Sequence, residues 1–203
     1  MGVPTKPPHQ SAANWCGGKE EAQRTLENHV QDEYQRYHAK MVATAMEGYG
    51  GLLGEDPLLW CVTGLLHDLD FEKHLTVHPG ESLKWFKEWG YPQELIHAVE
   101  AHAFGYNGFT MLPQTKLAAC LMARDELCSI FYAYRKLNPI PYGQIKASSI
   151  TKRLKERAFA AKIERATIYR GCEALGLPLE RHIENLITFF LFYRKVFRST
   201  LLK

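Results

Sequence analysis

The chain has 203 residues, with 25 Lys and Arg against 22 Asp and Glu, a formal charge of +3 and 46% hydrophobic residues. This suits one globular domain with a real core and excludes disorder throughout, while the charge is too small for a dedicated nucleic-acid binder. The longest apolar run, residues 186–193, falls well short of the roughly 20 residues that span a bilayer, so no membrane association is expected.

Residues 1–18, with Pro4, Pro7, Pro8 and Gly17-Gly18, read as a flexible N-terminal leader without the apolar segment of a secretory signal. Residues 19–203 read as a single all-α domain, because apolar residues recur at steps of three and four and strand-like alternation is nowhere sustained. A first long helix is predicted from Glu20 to Gly48, carrying His38 and stopped by Gly48, Gly50 and Gly51. Asp56-Pro57, an N-cap residue with proline at the first helical position, opens a second helix that delivers His67-Asp68 at its end. A loop over 69–77 follows. A helix then starts at His78-Pro79-Gly80 and stops at Gly90, and the next, from Pro92 to Ala103, holds His97 and His102.

A long helix from Thr115 to Leu137 holds Asp125, and a turn-rich break over 138–143 precedes helices near 150–156, 164–175 and 179–197. The last three form a C-terminal helical extension. Aromatic residues Phe189, Phe190 and Phe192 are expected in the core or, alternatively, against a second copy in a homodimer. The five cysteines are scattered and make no C-x-x-C, which points to a reducing cytoplasm and against a thiolate zinc site.

Charge is unevenly placed. Residues 55–100 are acidic, whereas Lys146, Lys152, Arg153, Lys155, Arg157, Lys162, Arg165 and Arg170 face only Glu156 and Glu164. That basic stretch is either a solvated helical face or, if it folds over the histidines, an anion-contacting wall in which Lys152 and Lys155 are candidate substrate contacts.

His38, His67, His78 and His102 come with Asp68 and Asp125 on consecutive helical segments, an inventory of nitrogen and oxygen metal ligands. The doublet ends an otherwise apolar helix, and a carboxylate buried there asks for a cation. His102 shares a helix face with Leu95, Ala98 and Val99 and points to the core, whereas His97 lies about 140° around the helix and is read as surface. His74 competes with His78 in the same loop. His9, His29 and His182 have no comparable context and are read as surface residues.

The order His38, His67-Asp68, Asp125 resembles the H…HD…D pattern of the HD superfamily of metal-dependent phosphohydrolases, with a narrower likeness to small predicted HD hydrolases that runs through Ala123-Arg124-Asp125-Glu126-Leu127 to Cys172-Glu173-Ala174-Leu175. The resemblance implies an HD-type helical bundle in which His38, His67, Asp68 and Asp125 hold one divalent ion. Asp68 would bridge to a second ion that His78 and His102 complete. Iron, manganese, cobalt, nickel or zinc suits such ligands. The resemblance gives Asp68 and Lys73 catalytic roles, with Lys73 on a substrate phosphate, although relatives often have a glycine after the doublet where this chain has Leu69-Asp70-Phe71-Glu72-Lys73. Asp70 is the alternative use of that loop, orienting a ligand histidine from behind.

The expected activity is hydrolysis of a phosphomonoester or phosphodiester, with a small phosphorylated molecule, a nucleotide among the options, as partner. No G-x-S-x-G, P-loop or G-x-G-x-x-G is present. The same six-residue set also resembles that of diiron oxygenases on this fold, such as inositol oxygenase and the phosphonate-cleaving oxygenase. A third reading is a nucleotide-sensing or regulatory module.

Overall fold

The computed structural model describes residues 18–192 and, among them, contains helices and no strand. The leader, apart from Gly18, and the end of the predicted last helix beyond residue 192 lie outside the described residues, together with His9 and Cys16. The elements are α1 (Lys19–His29), α2 (Glu33–Leu53), α3 (Pro57–Leu66), α4 (Phe71–His74), α5 (Gly80–Glu88), α6 (Gln93–His102), α7 (Lys116–Leu137), a 3-10 turn (Tyr142–Gln144), α8 (Ala147–Lys155), α9 (Arg165–Ala174) and α10 (Leu179–Phe192).

The predicted first helix is two helices. Asp32 takes extended backbone and caps α2 by accepting from Gln35 N at 2.8 Å. The break before it is held from a distance, since Glu72 Oε2 accepts from Gln31 N at 2.6 Å and from Asp32 N at 3.0 Å. Gly48, Gly50 and Gly51 lie inside α2, which stops only at Gly54 in the left-handed conformation (φ 70°). Gly48 has a packing role: a Cβ there would lie 2.5 Å from the Phe189 ring, so its absence lets α10 rest on α2.

Two apolar cores adjoin across α2. One gathers Tyr37, Met41, Tyr49, Leu121, Phe131 and Phe190 from α2, α7 and α10, and the other gathers Leu26, Ala39, Ala43, Leu66, Phe86 and Trp89 around α1, α3 and α5. Each fully buried Leu, Met or Phe among them contributes about 1.5–3 kcal/mol. Phe190 meets Phe131 edge-on at 5.6 Å, so this part of the C-terminal aromatic stripe is spent inside the chain. His38 sits on α2 between Tyr37 and Ala39, at the seam of the two cores, and α7 packs against α2, α6 and α9 beside it. Gly64 lets α3 lie flat on α2, because a Cβ there would come within 2.6 Å of the Ala43 Cα. No helix among the described residues is long and apolar enough to cross a membrane.

Candidate metal centre

His67 is the C-cap of α3 and Asp68 follows it, so the doublet leaves the helix end into the space between α2, α6 and α7. Asp125, half-way along α7, completes a first group. Its Oδ1 lies 2.8 Å from His38 Nε2 and 3.3 Å from His67 Nε2. Asp68 Oδ2 lies 3.3 Å from His67 Nε2 and 4.0 Å from His38 Nε2. The other oxygen of the same carboxylate turns to a second group, with Oδ1 3.3 Å from His78 Nε2 and 3.4 Å from His102 Nε2. Asp68 thus belongs to both groups of potential metal ligands.

All four imidazoles present Nε2 inward, because something holds each Nδ1 from behind. His67 and His102, at the ends of α3 and α6, donate Nδ1–H to the carbonyls of Gly64 (2.9 Å) and Val99, three residues earlier. His78 donates to Asp70 Oδ1 at 2.6 Å. His38 Nδ1 lies 3.2 Å from Ser129 Oγ, which in turn lies 3.2 Å from the Tyr34 hydroxyl. Carbonyl and carboxylate oxygens only accept, so Nδ1 carries the proton in three of the rings and the Nε2 lone pair faces the carboxylates.

Lone pairs opposed in this way need positive charge between them. His67 Nε2 is fully buried and makes no hydrogen bond. Five of these six separations, at 2.8–3.4 Å, match the edges of a polyhedron whose metal–ligand bonds are about 2.0–2.2 Å, and the sixth, from His38 to Asp68, is longer at 4.0 Å. Electrostatics agree. Burial pushes Asp68 upward, yet His67, His102 and His78 hold it well below the usual carboxylate range. Burial works against a charged His67, but Asp68 and Asp125 hold its pKa well above the ordinary value. The residues present therefore fit a bound cation, and the buried cluster could hold a metal ion.

The centre opens into a cavity of about 1230 Å³. Its walls include Tyr34, Tyr132, Phe71 and Tyr106, the carboxylate Glu126, and the cations Lys136, Lys162 and Arg170. Burial, with the charge of Asp125, pushes the Glu126 carboxyl up to about 8, and its Oε1 accepts from Glu164 N at 3.1 Å. Lys162, with Ala160, Ala161 and Ile163, also lines the cavity, so the basic stretch does reach the space beside the histidines through the loop over 156–163. One side chain shapes it. The five N–H donors of Arg165 reach the carbonyls of Leu154 (2.9 Å), Ile163 (3.0 Å), Glu156 (3.2 Å), Ala160 (3.4 Å) and Phe159.

The expected substrate lysines are not the ones found here. Lys73, Lys152 and Lys155 are exposed and do not line the cavity. In the loop after the doublet Asp70 turns inward, and Lys73 falls on the α1 side, near His29, whose pKa is lowered by burial and, to a smaller extent, by the Lys73 charge. α8 buries Ile150 and Leu154, which leaves Lys152 and Lys155 facing solvent. Lys136, Lys162 and Arg170 take the positions in the cavity, and Arg170 stacks its guanidinium 4.0 Å from the Phe104 ring centre, two residues past His102.

Other histidines divide differently from the expectation. His97 is half-buried, accepts from Gln114 N at 3.0 Å and stays outside both ligand groups. His182, read as surface, is fully buried, with Nδ1 2.9 Å from the Tyr49 hydroxyl and 2.8 Å from Arg124 Nη2. Ser129 and Asp70 are functional residues of a second kind, ones that aim ligands. Ser129 was missed by sequence reasoning, although its position four after Asp125 on α7 carries the signal.

Residues 36–130 match the HD domain family model. Over that segment the chain is similar to the HD domain family. The matched segment runs from the start of α2 into α7 and contains all six residues of the two ligand groups. HD-domain proteins are generally metal-dependent hydrolases. Comparison with curated proteins and with solved structures returns no match.

Proposed function

We propose that the protein is a metal-dependent phosphohydrolase that uses a dinuclear centre on His38, His67, Asp68, His78, His102 and Asp125. The observation that carries this reading is the divided carboxylate of Asp68, with Oδ2 in one donor group and Oδ1 in the other. Four neutral imidazoles and two carboxylates around two divalent ions leave a surplus of positive charge, which favours a phosphate in the cavity. When bound, such ions supply Lewis acidity toward a phosphoryl oxygen and a water acidified to near neutrality. The chain's own residues do the rest. Asp70, Ser129 and the carbonyls of Gly64 and Val99 hold the imidazoles in place, and Arg170, near His102 through Phe104, offers planar donors to phosphate oxygens.

The test is elemental analysis of the protein purified without added metal, followed by a panel of phosphate mono- and diesters. Hydrolysis that is lost together with the metal in Asp68→Asn supports the reading. Hydrolysis that survives metal loss overturns it. The convergence of all six donors equally supports a diiron oxygenase, the second reading. About two irons per chain with a coupled diiron signal in the paramagnetic resonance spectrum, and no phosphoester turnover, would select it.

A further inference from the structure

The cavity is larger than the range of about 300–1,000 Å³ usual for small-molecule sites, and its excess volume has a direction. Along α7 the residues that line it are Asp125, Glu126, Ser129, Tyr132, Ala133 and Lys136. Steps of four, three and four from Asp125 to Ser129, Tyr132 and Lys136 keep them on one face. Lys136 comes eleven positions after Asp125, a net rotation of about 20° and a rise of about 16 Å along the helix axis. The cavity is therefore a groove, with the candidate metal centre at one end and an exposed lysine three turns away. The stretch Ala160, Ala161, Lys162 and Ile163 also lines it, in a shape set by the Arg165 hydrogen bonds. Among the described residues neither Lys136 nor Lys162 forms a salt bridge within the chain.

We propose that this groove is a subsite for a second anionic group, carried by the same substrate molecule on the order of 10 Å from the reacting phosphate and recognised by Lys136, with Lys162 a further ammonium along the groove. The substrate class is an elongated organic phosphate with a negative group at each end, its middle lying against Tyr132 and Ala133. This rests on the proposed phosphohydrolase reading and narrows its substrate. A short phosphate would leave the lysine end empty, and a long ester with a neutral tail would leave both ammonium groups without a counter-charge.

The test is calorimetric binding to the protein as purified, with octyl phosphate, 1,3-propanediol bisphosphate and 1,8-octanediol bisphosphate as probes. The long bisphosphate is expected to bind about tenfold more tightly than either of the others, and Lys136→Ala combined with Lys162→Ala is expected to remove that advantage while leaving octyl phosphate affinity within about twofold. Equal affinities for the three probes, or an advantage that survives the double substitution, overturn the proposal. Hydrolysis is scored separately. Preferred binding without turnover refutes the phosphohydrolase reading and leaves the subsite standing, whereas turnover without preference refutes the subsite alone.

Discussion

Asp70 Oδ1 accepts a hydrogen bond from His78 Nδ1 at 2.6 Å, so the imidazole that faces one carboxylate, Asp68, is aimed from behind by another. The second oxygen of Asp70 accepts from Glu81 N and Ser82 N, each at 3.0 Å, and so fixes the first turn of α5 as well. Asp70→Asn keeps the size but removes the charge that orients His78. Metal affinity, measured by competition with a chelator, should fall about 10- to 100-fold. Affinity equal to that of the parent would show that His78 does not act in ligation.

Gly64 should tolerate no side chain. Alanine there drives a methyl group into the Ala43 backbone of α2, and separating α2 from α3 should cost about 1–3 kcal/mol. Because the Gly64 carbonyl holds His67 Nδ1, the same substitution should also weaken metal retention. Denaturant unfolding with and without chelator separates the two effects, and a variant as stable as the parent would contradict the close approach of these helices.

His182 gives the fold an acid sensitivity that is independent of the metal centre. Burial, reinforced by Arg124, lowers its pKa from 6.5 to about 3. The unfolded chain therefore binds a proton below pH 6.5 that the folded chain refuses. Stability from this source is intact above that value and is lost as pH falls toward the folded pKa. For His182→Gln, which does not titrate, the stability gap to the parent should shrink by about 2 kcal/mol between pH 7 and pH 5. A gap that is constant across those two pH values would refute the neutral, buried imidazole.

Cations near the doublet in sequence should matter less than cations in the cavity. Lys73→Ala, Lys152→Ala and Lys155→Ala should each leave phosphoester kcat/KM within about twofold, as expected for exposed charges. Arg170→Ala should lower it by tenfold or more, since a charge-assisted contact to phosphate is worth about 1.5–3 kcal/mol. Steady-state kinetics on any turned-over phosphoester checks the ranking, and a larger loss in Lys73→Ala would reverse it.

Helix periodicity made the all-α class legible, and the cap signals at Asp56-Pro57 and Gly90 placed two boundaries that the structure reproduces to within a residue or two. The face argument for His102 was also available, because its apolar neighbours lie on one stripe of α6. What escaped was whatever depends on residues distant in sequence. Glu72 holds open the break between α1 and α2 from 40 positions away. Gly48 looked like a stop because the ring that packs on it belongs to α10. Lys73 looked like a substrate contact through nearness to the doublet, although the inward turn at Asp70 places it on the other side of α4. His182 looked ordinary because its partners, Tyr49 and Arg124, come from two other helices.

The stripe from Asp125 to Lys136 turns α7 into a measuring rod, since both ends of the groove are fixed to one rigid helix. One residue inserted between them would swing Lys136 about 100° off the shared face, whereas four inserted residues would return it to within about 40° and lengthen the rod by about 6 Å. Chain length selectivity would then be set by the count of helical turns, and could be reset in whole-turn increments without touching any residue of the metal centre.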